Sequence, residues 1–188
     1  MSILAADLRT GPALSSSNIY LIGPMGVGKT TVGKKLAELI GFEFIDTDQE
    51  LERRTGVTVG HIFEVEGEQG FRIRETRLVE EIGASQGHVV ATGGGAVLSS
   101  ENRRCMKASG QVVYLRAPFE ILWNRLKRST TRPLLQNDDP RGTLEGILRE
   151  RDPVYHRAAD HVVEVSSTSE KTALRLAEWL DHQDREST

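Results

Sequence analysis

The sequence predicts an α/β fold: a parallel sheet with helices on both faces. Two observations carry this. Short apolar runs that read as buried strands alternate with segments of helical periodicity along most of the chain. The first such unit is strand, glycine-rich loop, helix. Its loop, Gly23-Pro24-Met25-Gly26-Val27-Gly28-Lys29-Thr30, matches G-x-x-x-x-G-K-[ST], a phosphate-binding loop. Strand–helix–strand crossovers are right-handed and place successive strands in parallel. At 188 residues a single domain is expected, over residues 18–182.

Residues 1–17 mix Gly11, Pro12 and Ser15-Ser16-Ser17 with little periodicity and are expected to be a flexible extension. Residues 18–22 (NIYLI) form the first strand, and residues 31–40 the first helix, with Val32, Leu36, Leu39 and Ile40 on one face. Between them, glycines let backbone N–H groups turn inward around phosphate oxygens, and the helix N-terminus adds partial positive charge. The expected nucleotide contacts are Gly26, Val27, Gly28, Lys29, Thr30 and Thr31. Lys29 reaches the β- and γ-phosphates, and the Thr30 hydroxyl ligates Mg²⁺. A dinucleotide-binding loop starting at Gly26-Val27-Gly28, with Asp46 on a ribose, is the competing reading. It requires glycine where Thr31 stands and leaves Lys29 and Thr30 unused.

Gly41 suits a left-handed helix cap. Residues 42–45 are a second strand ending at Asp46-Thr47-Asp48. Ligands in open α/β sheets bind beyond the carboxyl ends of strands, so Asp46 and Asp48 are candidates for metal and substrate work. All three residue types also favour helix caps, which is the structural alternative. Short helices are expected over 49–54 and 62–65, and a longer one over 69–82 burying Phe71, Leu78, Val79 and Ile82. Residues 88–92 form a strand that ends in Gly93-Gly94-Gly95, where absent side chains let the backbone approach a ligand closely. A helix to Ala108 follows, capped by Ser99 or Ser100 and closed by Gly110, with Cys105 and Met106 as packing residues. Residues 111–116 are the fourth strand, and Pro118 opens a helix to about Lys127. Residues 128–141 lack apolar periodicity and read as a lid carrying Arg132. A helix over 143–152 ends at Pro153, residues 161–165 form the fifth strand, and a last helix runs through Leu180.

Composition narrows the function. A net charge of −3 gives no basic field, so nucleic acid is not an expected partner. No apolar run approaches membrane-spanning length, and residues 1–17 lack the basic start and apolar block of a signal peptide. Cys105 is the one cysteine, so no intrachain disulfide can form. A cytoplasmic protein is expected. The five histidines show no metal-site spacing.

In order and spacing, Gly23–Thr30, Asp46-Thr47-Asp48, Phe71-Arg72 with Glu75, Gly93-Gly94-Gly95, Arg132-Pro133-Leu134-Leu135, and Arg151 ahead of Pro153-Val154-Tyr155 resemble the shikimate kinase family. The resemblance runs from about residue 18 to residue 180. It implies a P-loop kinase fold with a five-stranded sheet in the order 2-3-1-4-5, a substrate-binding region at about 47–83 and a lid at about 128–141. It implies transfer of the ATP γ-phosphate to the 3-hydroxyl of shikimate, on the route to chorismate and the aromatic amino acids, by a monomer. Arg72 and Arg151 then fork the substrate carboxylate, with Glu75 one helical turn on holding Arg72. Asp48 binds ring hydroxyls and takes the proton; Gly93, Gly94 and Gly95 contact the substrate. Asp46 reaches Mg²⁺ through water. Arg132 closes over the phosphates, and Arg125 stacks on adenine. The loop after the last strand, Ser166-Ser167-Thr168, offers no defined adenine contact, and Asn137-Asp138-Asp139 has no assigned role. Gluconate kinase shares the loop and fold and is the enzymatic alternative; a nucleotide-driven switch or binding module is the alternative of another class.

Overall fold

The computed structural model describes residues 17–127, 135, 137–165 and 168–186. Its elements are β1 (Asn18–Ile22), α1 (Lys29–Ile40), β2 (Glu43–Asp46), α2 (Thr47–Thr55), α3 (Val59–Gly83), β3 (His88–Ala91), α4 (Ser100–Ser109), β4 (Gly110–Arg116), α5 (Phe119–Leu126), α6 (Pro140–Ala158), β5 (His161–Glu164) and α7 (Ser169–Glu186). A single 3₁₀ turn, Ala96–Leu98, joins β3 to α4. The five strands form one sheet in the order β2-β3-β1-β4-β5. All pairings are parallel, as in Leu21 opposite Ala91 on one side and Val113 on the other.

Alternation along β1 builds two cores. Ile19 and Leu21 face α1 and α7, packing with Val32, Leu36, Leu176 and Leu180. Tyr20 and Ile22 face the other way, onto Leu78, Val79 and Ile82 of α3 and Met106 of α4. The helix α6 serves both: Leu144 joins the first core, Tyr155 and Ala158 the second. With both faces covered, β1 is buried along its whole length. Its carboxyl end therefore opens into the interior of the edge where the glycine loop begins.

Several boundaries differ from the sequence expectations. The helix over 143–152 extends to Pro140–Ala158 and passes through Pro153. The two helices expected at 62–65 and 69–82 are both present with wider bounds: α3 runs from Val59 to Gly83 as two helical pieces that meet at Gly67, whose φ of 68° and ψ of −180° kink the chain. Gly110 does not close α4 in a left-handed cap. Its φ of 178° is extended backbone, and it opens β4. The expected cap at Gly41 does occur, at φ 75°, and Gly56 ends α2 in the same way, at φ 73°. The acidic run at 137–139 has a structural role: Asp139 caps α6 by accepting from the Gly142 N–H at 2.9 Å, and Asn137 Nδ2 donates to Thr143 Oγ1 at 3.1 Å. The expected extension up to Ser16 and most of the segment expected to be a lid, Arg132 included, lie outside the described residues.

Candidate active site

The phosphate-binding loop leaves β1 and delivers Gly28, at φ 104°, to the N-terminus of α1. Two cations grip its carbonyls. Lys29 Nζ donates to the carbonyls of Gly23 and Pro24 at 2.7 and 3.0 Å. Arg125, from α5, donates through Nη1 to those of Gly26 and Val27 at 2.9 and 3.0 Å. In a trans peptide the carbonyl and the next N–H point opposite ways. Carbonyls drawn towards Lys29 and Arg125 thus leave donors for the other side. Gly26, Val27, Gly28, Lys29, Thr30, Thr31 and Arg125 all line one cleft of about 1120 Å³. Its far wall carries Val165, Thr168 and Ser169, just past β5. Thr168 is thus placed at the cleft, while Ser166 and Ser167 lie outside the described residues.

The end of β2 supplies the acids. Asp46 closes the strand and caps α2, its Oδ1 accepting from the N–H groups of Asp48 and Gln49 at 3.1 and 3.2 Å. Its Oδ2 accepts from Thr30 Oγ1 at 2.7 Å. The capping and the site readings of Asp46 thus coexist. Asp48 lies in the first turn of α2, not on the strand, and lines the cleft. Between them Thr47 turns inward, fully buried, and its Oγ1 accepts from the Gly93 N–H at 3.0 Å. This bond ties the acidic corner to the glycine corner.

The Thr30 hydroxyl and the Asp46 carboxylate are hard oxygen donors in hydrogen-bond contact. Among the described residues no three His, Cys, Asp or Glu side chains gather as a metal cage. A site of one or two protein oxygens completed by phosphate and water fits Mg²⁺.

The third corner is built from α3, the triple glycine and α6. Arg72 Nη1 donates to Glu75 Oε2 at 2.7 Å, and Nη2 to Glu68 Oε1 at 3.1 Å. Glu75 is fully buried. Burial pushes its carboxyl up, Arg72 opposes that, and the charge of Asp48 adds to it. The glycines make room for these groups. A Cβ on Gly95 would stand 2.2 Å from Arg72 Nη2, and one on Gly93 would stand 2.7 Å from Glu75 Oε1 and 3.0 Å from Asp48 Oδ1. Arg151 Nη1 donates to the Gly94 carbonyl at 3.3 Å, and the Tyr155 hydroxyl donates to the same oxygen. Gly94 lines the cleft; Arg72, Arg151, Gly93 and Gly95 do not, but adjoin it through Gly94 and its carbonyl. The Gly93 N–H is already engaged by Thr47, so of the three glycines Gly94 and Gly95 are the donors left to consider.

The sequence reading missed part of this cleft. Gln49 and Glu52 of α2 line it, as do Val59, Gly60, Phe63 and Glu64 of α3. Phe63 packs on Phe71 with ring centroids 4.6 Å apart. The kink at Gly67 brings this first part of α3 to the rim, and no hydrophobic periodicity signals that. Tyr155 was legible only as part of the motif after Arg151.

Known proteins are similar to this chain in sequence and fold. The shikimate kinase family model matches residues 25–181. A shikimate kinase from Halorhodospira halophila is 49% identical, over 89% of this chain and 95% of that protein. One from Methylococcus capsulatus is 51% identical, over 84% and 88% respectively. A solved shikimate kinase from Acinetobacter baumannii, in complex with shikimate, superposes with a TM-score of 0.87 at 44% identity, covering 90% of this chain and 96% of that one. A gluconokinase from Sinorhizobium meliloti shares the fold alone, at a TM-score of 0.51 and 19% identity. A family model over residues 25–181 and relatives about half identical over nearly the whole length place the chain in the shikimate kinase family.

Proposed function

We infer that this chain transfers the γ-phosphate of ATP to the 3-hydroxyl of shikimate, giving shikimate 3-phosphate and ADP. One observation carries the reading. The phosphate loop, Asp48 and the arginine-lined glycine corner meet at one edge of the sheet, inside a chain of this family.

Each role follows from the groups present. Arg72 and Arg151 supply guanidinium donors for the acceptor's carboxylate. Glu75 holds Arg72 from behind, as their 2.7 Å contact supports. Asp48, at the cleft beside the acidic corner, orients the ring hydroxyls and takes the proton from the attacking one. Gly94 and Gly95 offer backbone contacts. The loop N–H groups, Lys29 and the N-terminus of α1 bind the phosphates and stabilise charge as it spreads over the transferred group. Arg125 steadies the loop and borders the nucleotide; Arg132 closes over the phosphates from the lid. Thr30 and Asp46 would hold Mg²⁺, Asp46 through water; the ion neutralises phosphate charge when bound. We read the enzyme as a cytoplasmic monomer. Among the described residues no helix is long and apolar enough to cross a membrane, and light scattering tests the monomer.

The deciding experiment is a coupled ADP-release assay over shikimate, quinate, gluconate, AMP and water. Shikimate should raise ADP formation far above the water background. Use of gluconate or AMP with shikimate inert would overturn the reading, and turnover independent of any acceptor would favour a switch.

A further inference from the structure

Two residues of α6, Arg151 and Tyr155, converge on one backbone oxygen, the carbonyl of Gly94. They stand one helical turn apart, so they share a face of the helix. The tyrosine is 1% exposed, and its ring stacks on Tyr114 with centroids 4.9 Å apart. The Tyr114 hydroxyl donates to Asp152 Oδ1 at 2.7 Å, so α6 is pinned to β4 just beside both residues. Burial pushes the Tyr155 hydroxyl up to about 12, against the opposing influence of Arg151, so it stays a neutral donor.

The neighbouring carbonyls are held by the local turn. Gly93 O accepts from the Ala96 N–H at 3.1 Å and Gly95 O from the Leu98 N–H at 3.0 Å. The middle carbonyl is claimed by α6 instead. In three successive glycines each peptide plane is free to rotate at low steric cost. Fixing the Gly94 carbonyl also fixes the Gly95 N–H, which shares its plane and points the opposite way, away from α6. Arg72 stands against that same residue.

We propose that Tyr155 is a positioning residue for the acceptor: by holding the Gly94 carbonyl it aims the Gly95 N–H at the substrate carboxylate beside Arg72. The proposal rests on the shikimate reading above. It assigns to α6 two tasks at one point, a charge from Arg151 and the orientation of a backbone donor from Tyr155.

Tyr155→Phe tests it, because Phe keeps the ring stack and removes only the hydroxyl, the closer of the two donors to the Gly94 carbonyl. We expect the KM for shikimate to rise about tenfold, the worth of one well-placed hydrogen bond. The KM for MgATP should stay unchanged and kcat should move by less than about threefold. In the ligand-free protein the Gly95 amide resonance should shift and broaden. Tyr114→Phe loosens α6 and keeps the Tyr155 hydroxyl; it should lower the Tm without that KM split. A Tyr155→Phe enzyme with lowered Tm but an unmoved shikimate KM would overturn the proposal, as would an equal rise in both KM values. A wild type inert to shikimate would sink the acceptor reading instead. The Gly95 resonance then decides the Tyr155 role alone: a spectrum superimposable on wild type overturns it.

Discussion

Asp46 uses both carboxylate oxygens within the protein, one on Thr30 and one on the start of α2. Asparagine caps a helix as well as aspartate does. Asp46→Asn should therefore keep the fold and raise the Mg²⁺ concentration needed for activity, whereas Asp46→Ala should also lose about 1 kcal/mol of stability. Asp48→Asn should bind MgATP normally and lose kcat by roughly 10²–10⁴-fold, the usual worth of a positioned base. Titrating Mg²⁺ against kcat for both asparagine variants checks the assignment; rescue of Asp48→Asn alone by excess metal would reverse the roles. Glu75 gives a pH signature. Its folded-state pKa lies above the ordinary value because it is buried. Such a carboxyl contributes stability below its unfolded pKa, and that contribution is lost as pH rises through the folded pKa. Glu75→Gln, which cannot ionise, should become more stable relative to wild type as pH climbs from 4 to 8. Urea unfolding at several pH values measures this; a constant difference would mean that Arg72 fully offsets burial.

At the scale of elements, α3 depends on one backbone position. Gly67 has φ 68°, and a Cβ there would meet nothing within 4 Å, so any penalty comes from the backbone alone. Gly67→Ala should cost roughly 1–3 kcal/mol in a denaturant midpoint measurement, since φ 68° with ψ −180° is a conformation essentially confined to glycine, while a neutral result would mean that the kink relaxes into a straight helix. Most elements were legible because their periodicity survives burial. The breaks were less so. Proline removes an interior hydrogen bond and ordinarily stops a helix. Yet α6 continues through Pro153, because Asp152 is held by Tyr114 on one side of it and Tyr155 by Gly94 on the other. Gly110 has cap-like composition, but extended backbone suits it equally, and pairing with Asn18 decides. The site shows the same division. Loop, aspartates and arginines carry chemical signatures that can be read from residue type. Phe63 and Glu52 reach the cleft only through how α2 and α3 pack, which is a long-range outcome.

At the scale of the whole molecule, the parallel sheet gathers its strand ends at one edge, and ligands there should stabilise everything behind it. ADP with Mg²⁺ at one hundred times its Kd should add about 2.7 kcal/mol to the folded state. Shikimate should raise the Tm additionally, and thermal melts with each ligand alone and both together check this. A larger shift with gluconate than with shikimate would contradict the acceptor assignment. The opposite pole of β1 has its own consequence. Asn18 opens the central strand there, its side chain donating to the carbonyls of Ile82 and Ser85 at 3.1 and 2.8 Å and accepting from the His88 N–H at 3.0 Å. The five residues of β1 separate that pole from the glycine loop, a span of roughly 16 Å. A tether placed ahead of Ser17 leaves from the back of the molecule. An enzyme immobilised on a bead or sensor chip through that end would keep the mouth of its cleft turned towards solution.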